Sequence, residues 1–155
     1  MIITPTYTHK QFWFTALFSG ALLSVVLSTV YIAFYERLYI ESSYLFSIIY
    51  LIPFVWLSVT AAFFKWKFVY SEFSYRQAFL LNFLCGLTAS LLFSGAVYVA
   101  YAYIGLESRM NIYNVGEHYK DLFSPQATAL SLLIINVVLT LFYSLIIAIF
   151  ARKNK

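Results

Sequence analysis

The stretch LFSPQATALSLLIINVVLTLFYSLIIAIFA, from Leu122 to Ala151, carries no Asp, Glu, Lys or Arg. It exceeds the roughly 20 apolar residues that an α-helix needs to cross a hydrocarbon core of about 30 Å. Three further runs share the property: Gln11 to Tyr35, Ser42 to Phe64 and Gln77 to Leu106. None shows the strict alternation of a barrel strand, and lipid tolerates backbone only where its hydrogen bonds are closed internally. The sequence therefore predicts an all-α membrane protein. Its form is a four-transmembrane-helix bundle, with helices over about 11–35, 43–64, 77–104 and 125–151 and an outer loop over 105–124.

Composition leads the same way. Hydrophobic residues make up 63% of the chain and charged residues 10%, against about 45–50% and about 25% in soluble domains. A water-soluble fold of 155 residues could not cover so much apolar surface. The length corresponds to a single domain, 1–155. The first run is long, follows a polar lead and lacks a small-x-small exit before Glu36, so it is expected to be retained as a span, not cleaved as a signal peptide. Cys85 is the only cysteine, which excludes an intramolecular disulfide and a cysteine-based metal site.

Charge sets an expected orientation. Lys10, Lys65, Lys67, Arg76, Arg152, Lys153 and Lys155 flank the termini and the middle loop, whereas Arg37, Arg109 and Lys120 lie on the opposite side. Basic residues beside short loops stay cytoplasmic during insertion, which predicts an N-in/C-in arrangement with both termini cytoplasmic. The net charge of +4 is then a membrane-surface asymmetry and not a nucleic-acid footprint. Trp13 and Trp66 would mark the inner interface. Tyr31, Tyr35, Tyr39, Tyr44, Tyr98, Tyr101 and Tyr103 would mark the outer one, either as an aromatic belt or as the lining of an outer cavity. Tyr50 and Trp56 read as core packing.

Helix starts are legible too. Thr8 with Gln11, and Ser74 with Gln77, have capping-box spacing. Ser124-Pro125 supplies a serine cap followed by a proline at the first helical position, where its missing N–H costs nothing.

Hydrophobic burial cannot draw helices together inside lipid, so close backbone approach and interhelical hydrogen bonds must. Small or polar residues recur at every fourth position: Ala16, Gly20, Ser24 and Ser28 in the first helix, Asn82, Gly86, Ser90 and Ser94 in the third, and Asn136, Thr140, Ser144 and Ala148 in the fourth. These stripes are expected to face inward as packing seams. The second helix offers only Ser58 and Ala62, with Pro53 upstream as a kink-forming residue. A narrow polar pathway along the seams is the alternative reading.

Chemistry is scarce. The outer loop gathers Glu107, Arg109, Glu117, His118, Lys120 and Asp121, a possible partner-contacting segment. Glu117, His118 and Asp121 would be three potential zinc ligands, but the only other histidine, His9, is expected on the opposite side. No nucleophile elbow or glycine-rich phosphate cradle is present. The uncharged runs also lack the acid, arginine or histidine that ion-coupled transporters and haem proteins place within the bilayer.

Four spans, the Phe73-Ser74-Tyr75-Arg76-Gln77-Ala78-Phe79 approach to the third helix, the tyrosine-rich exit Tyr98 to Ile104, and Ser124-Pro125 ahead of a helix ending Ala151-Arg152-Lys153 give the chain a family likeness. It resembles a bacterial family of small four-span inner-membrane proteins, a domain-of-unknown-function family. The resemblance spans essentially the full length, with Gly105-Leu106 standing where many members carry Asp-Pro. It implies an envelope protein and supplies no catalytic residues. The expectation is a non-enzymatic accessory or scaffolding subunit, without cofactor, catalytic residues or metal. Its partners would be the lipid bilayer and another integral membrane protein or a second copy. The alternative is a small carrier or flippase for a lipid or lipid-linked substrate.

Overall fold

Short polar motifs start the helices where the sequence places them. Thr8 N–H donates to Gln11 Oε1 at 2.9 Å and Gln11 N–H returns the bond to Thr8 Oγ1 at 3.2 Å. Ser74 and Gln77 repeat the exchange at 3.0 and 3.3 Å. Ser124 Oγ accepts from Ala127 N–H at 3.2 Å, with Pro125 in the first turn. Each motif satisfies donors that lipid cannot.

The computed structural model describes residues 7–40, 43–69, 73–104 and 124–152, with side chains over 7–33, 49–69, 73–103 and 124–152. The chain order is α1 (His9–Ile40), α2 (Ser43–Phe68), α3 (Tyr75–Ile104) and α4 (Pro125–Ala151). The caps start α1 and α3 two residues before the expected 11 and 77, because the helix begins at its cap and not at the first wholly uncharged stretch. α1 likewise runs past Tyr35 through Glu36 and Arg37, and α2 runs past Phe64 through Lys65 and Lys67. A helix does not stop where the hydrocarbon does. Long basic side chains bend toward the interface, and Lys67 Nζ lies 5.2 Å from the Phe63 ring centre.

At 1.5 Å per residue even α2, with 26 residues, is about 39 Å long. All four helices are long and apolar enough to cross a membrane. Their outward faces are apolar as well: Phe14, Val25, Val55, Val59, Leu91, Ile134, Phe142 and Phe150 are all exposed. Water would not support such a surface, whereas lipid does. The chain is a multi-pass integral membrane protein.

α3 is the hub of the bundle. It packs most extensively on α4 and α1, while α2 bridges α1 and α4 and meets α3 least. The helices thus form a ring in the order α1, α3, α4, α2. α1 and α3 run parallel, as do α2 and α4. Leu23, Leu27, Tyr31, Ala89, Phe93 and Val97 fill one half of the interior. Leu57, Phe64, Phe73, Leu81 and Ile147 fill the other, which is the half nearer the chain termini.

Candidate functional site

The small residues let the backbones of α1, α3 and α4 approach closely. A Cβ built on Gly20 would stand 2.5 Å from the Cys85 carbonyl oxygen and 2.8 Å from Thr88 Cβ. One built on Gly86 would run into the Thr140 side chain, 2.6 Å from its Oγ1. Ala16, Gly20, Ser24, Asn82, Gly86, Ser90, Ser94, Asn136, Thr140, Ser144 and Ala148 are all buried, and Ser28 is half-buried. On α2, Pro53 is buried, Ser58 is half-buried and Ala62 faces outward.

Hydroxyl and amide groups along these seams bond mostly to backbone. Ser94 Oγ on α3 donates across to the Ala129 carbonyl of α4 at 2.7 Å. Ser90 Oγ donates to Gly86 O, and Asn136 Nδ2 to Leu132 O, each within its own helix. The antiparallel register that joins Ser94 to Ala129 and Gly86 to Thr140 places Asn82 level with Ser144. Both are fully buried, and Asn82 Nδ2, Asn82 Oδ1 and Ser144 Oγ have no hydrogen-bond partner among the described residues. Among the described residues they are the fully enclosed side-chain nitrogen and oxygen atoms without a partner.

A second polar cluster joins α1 to α2. The Trp56 indole N–H donates to Ser19 Oγ at 2.9 Å and to the Ser19 carbonyl at 3.2 Å, and the Ser19 and Thr60 hydroxyls share a 2.7 Å bond. Tyr143 Oη donates to the Tyr50 carbonyl at 2.9 Å, tying α4 to α2 just before Pro53. Reading Trp56 and Tyr50 as simple packing missed these links. The one signal was the Trp56–Thr60 spacing, which puts an indole and a hydroxyl on one helical face.

The expected outer belt divides in two. Tyr31 and Tyr101 are each 1% exposed, with their hydroxyls 3.4 Å apart and the Tyr31 ring edge-on to Phe93. They are bundle core and not belt, because α1 and α3 lie against each other at this level. Tyr98 and Tyr103 do face outward, as do Trp13 and Trp66 near the opposite end. The loop residues Glu107, Arg109, Glu117, His118, Lys120 and Asp121 lie outside the described residues, as do the side chains of Tyr35, Tyr39 and Tyr44. Among the described residues no three His, Cys, Asp or Glu side chains come together as a metal site.

Among the described residues, two grooves on the lipid face stand out by their lining. One, of about 520 Å³, runs between α1 and α3 in the half away from the termini and is lined by Ser24, Ser28, Thr29, Ala33, Leu92 and Ala96 among others. The other, of about 320 Å³, lies between α2 and α4 toward the terminal end, with Lys65 in its wall. Because α1–α3 and α2–α4 are opposite edges of the ring, the grooves are on opposite sides. Comparison with protein-family models, with curated proteins and with solved structures found no match to this chain.

Proposed function

We propose that this chain is a non-enzymatic accessory subunit of a bacterial inner-membrane complex, with both termini cytoplasmic, that docks a transmembrane helix of another membrane protein or of a second copy in the α1–α3 groove. The observation that carries this reading is the fate of the first stripe. Ala16, Gly20 and Ser24 are covered within the bundle, but the stripe continues to Ser28, which opens into the groove beside Thr29, Ala33 and Ala96. Small residues at a lipid face are the means by which one membrane helix approaches another. Gly95, next to Ala96, has nothing within 4 Å of its Cβ position and leaves further room. The Ser24 and Thr29 hydroxyls donate to Ala21 and Val25 carbonyls of their own helix, so the surface offers contact without stranding polar groups in lipid.

Site-specific photocrosslinking in native membranes tests it. A probe at Ser28 or Ala96 should capture a membrane protein or a second copy, a probe at the lipid-facing Ile134 should not, and Ala96→Trp should abolish the capture. Equal capture from all three positions, or capture that survives Ala96→Trp, counts against the reading. Reporter fusions at each terminus test the sidedness.

The orphaned atoms of Asn82 and Ser144 favour a second reading, a small carrier or flippase whose polar cargo meets them in passing. Reconstituted vesicles in which the protein gives no faster lipid or head-group movement would remove it.

A further inference from the structure

The groove between α2 and α4 differs from its counterpart in chemistry. Its walls are Phe54, Ala61 and Ala62 on one side and Ile146, Ile147 and Phe150 on the other. Ser58 adds no free donor, because its hydroxyl is bonded to the Phe54 carbonyl at 2.8 Å. The groove exists because paired alanines stand on α2 where larger side chains would close the gap to α4. Such a channel suits a hydrocarbon chain. At its terminal end the wall includes Lys65, in the last turn of α2. Ala151, which also lines it, is followed by Arg152 at the α4 C-cap.

Those two helices run parallel, so their C-terminal ends and these cations meet at one membrane surface. Each C-terminus contributes roughly half a negative charge. Lys65 and Arg152 together outweigh both. Lys67 is turned elsewhere, over the Phe63 and Phe68 rings. We infer that the α2–α4 groove is a binding site for an anionic phospholipid, one acyl chain lying between Ala62 and Phe150 and the phosphate meeting Lys65. This site is independent of the partner-helix reading, since it lies on the other side of the bundle.

The test is native mass spectrometry of the delipidated full chain titrated with phosphatidylglycerol or phosphatidylcholine, with thermal unfolding recorded in parallel. Phosphatidylglycerol should be retained and should raise the unfolding temperature, and phosphatidylcholine should be retained at least about fivefold less, the equivalent of about 1 kcal/mol for one cation at the surface. Lys65→Gln should remove that preference while Lys67→Gln keeps it. Ala62→Phe, at an outward-facing position, should fill the groove and reduce retention of both lipids. Equal retention of the two lipids by the unaltered chain overturns the inference. So does a Lys65→Gln variant that keeps the preference, or a folded Ala62→Phe variant that binds as before.

Discussion

Thr140 of α4 occupies the space that a side chain on Gly86 of α3 would need. The contact involves the Thr140 Cβ, at 3.0 Å, as well as both of its branches, so rotation of the threonine does not relieve it. Gly86→Ala should therefore destabilise the bundle by about 1–3 kcal/mol, the usual cost of overpacking, and most of that loss should vanish in a Thr140→Ala background. Gly20→Ala should find no such rescue, because its obstacle includes the Cys85 carbonyl. Gly95→Ala meets open space and should raise stability by up to about 1 kcal/mol through helix propensity. Reversible unfolding in mixed micelles, followed by circular dichroism, measures all of these.

The two serines Ser94 and Ser144 should respond with opposite sign. Ser94 Oγ holds the α4 backbone at Ala129, so Ser94→Ala should cost about 0.6 kcal/mol, the average for an interhelical bond in a membrane. Ser144 Oγ is buried and unpaired, and leaving a polar group so costs about 1–3 kcal/mol. Ser144→Ala should accordingly stabilise the protein by about 1 kcal/mol in the same unfolding measurement. A loss instead would mean that a bound water or solute answers the hydroxyl.

The spans were legible because lipid imposes a length and forbids charge, and both are properties of consecutive residues. Caps were legible for the same reason, being local: Thr8–Gln11, Ser74–Gln77 and Ser124–Pro125 need no knowledge of the rest of the chain. The seams could be drawn as stripes, but a stripe does not say which helix faces it. That Gly20 meets α3 and not α2 depends on a ring order in which consecutive helices α2 and α3 are diagonal. Tyr31 and Tyr101 were misplaced on the belt for this reason. Their depth suited an interface, yet their direction was fixed by a neighbour distant in sequence. The grooves were hidden as well, since each is a gap between two helices and no single run encodes it.

Outside the spans, Tyr7 gives a pH prediction. Its ring packs edge-on against Phe64 at 5.0 Å and near Phe73, and this burial raises the phenol above its ordinary pKa of 10.0. Above pH 10 the unfolded chain releases that proton first, so the stabilisation present below pH 10 is lost as pH climbs through the raised folded value. Tyr7→Phe should flatten that part of the alkaline decline while leaving stability at neutral pH little changed. Unfolding midpoints measured across the alkaline range for both chains decide it, and parallel curves would count against the assignment.

Ser19 is the junction between α1 and α2. Its hydroxyl receives the Trp56 indole N–H and shares a proton with Thr60, and both partners come from the same face of α2. Ser19→Ala leaves the indole its weaker bond to the Ser19 carbonyl at 3.2 Å and strands the Thr60 hydroxyl unless it turns back to its own helix. The single change should cost about 0.6–1.7 kcal/mol, the average-to-maximum range for such bonds in membranes. Thr60→Ala removes the same bond from the other side. The double variant should therefore lose less than the sum of the two singles, with a coupling of about 0.6 kcal/mol or more. Strict additivity in the cycle would mean that the two hydroxyls stabilise the bundle separately, and the link between α1 and α2 would then rest on the Trp56 indole and on packing.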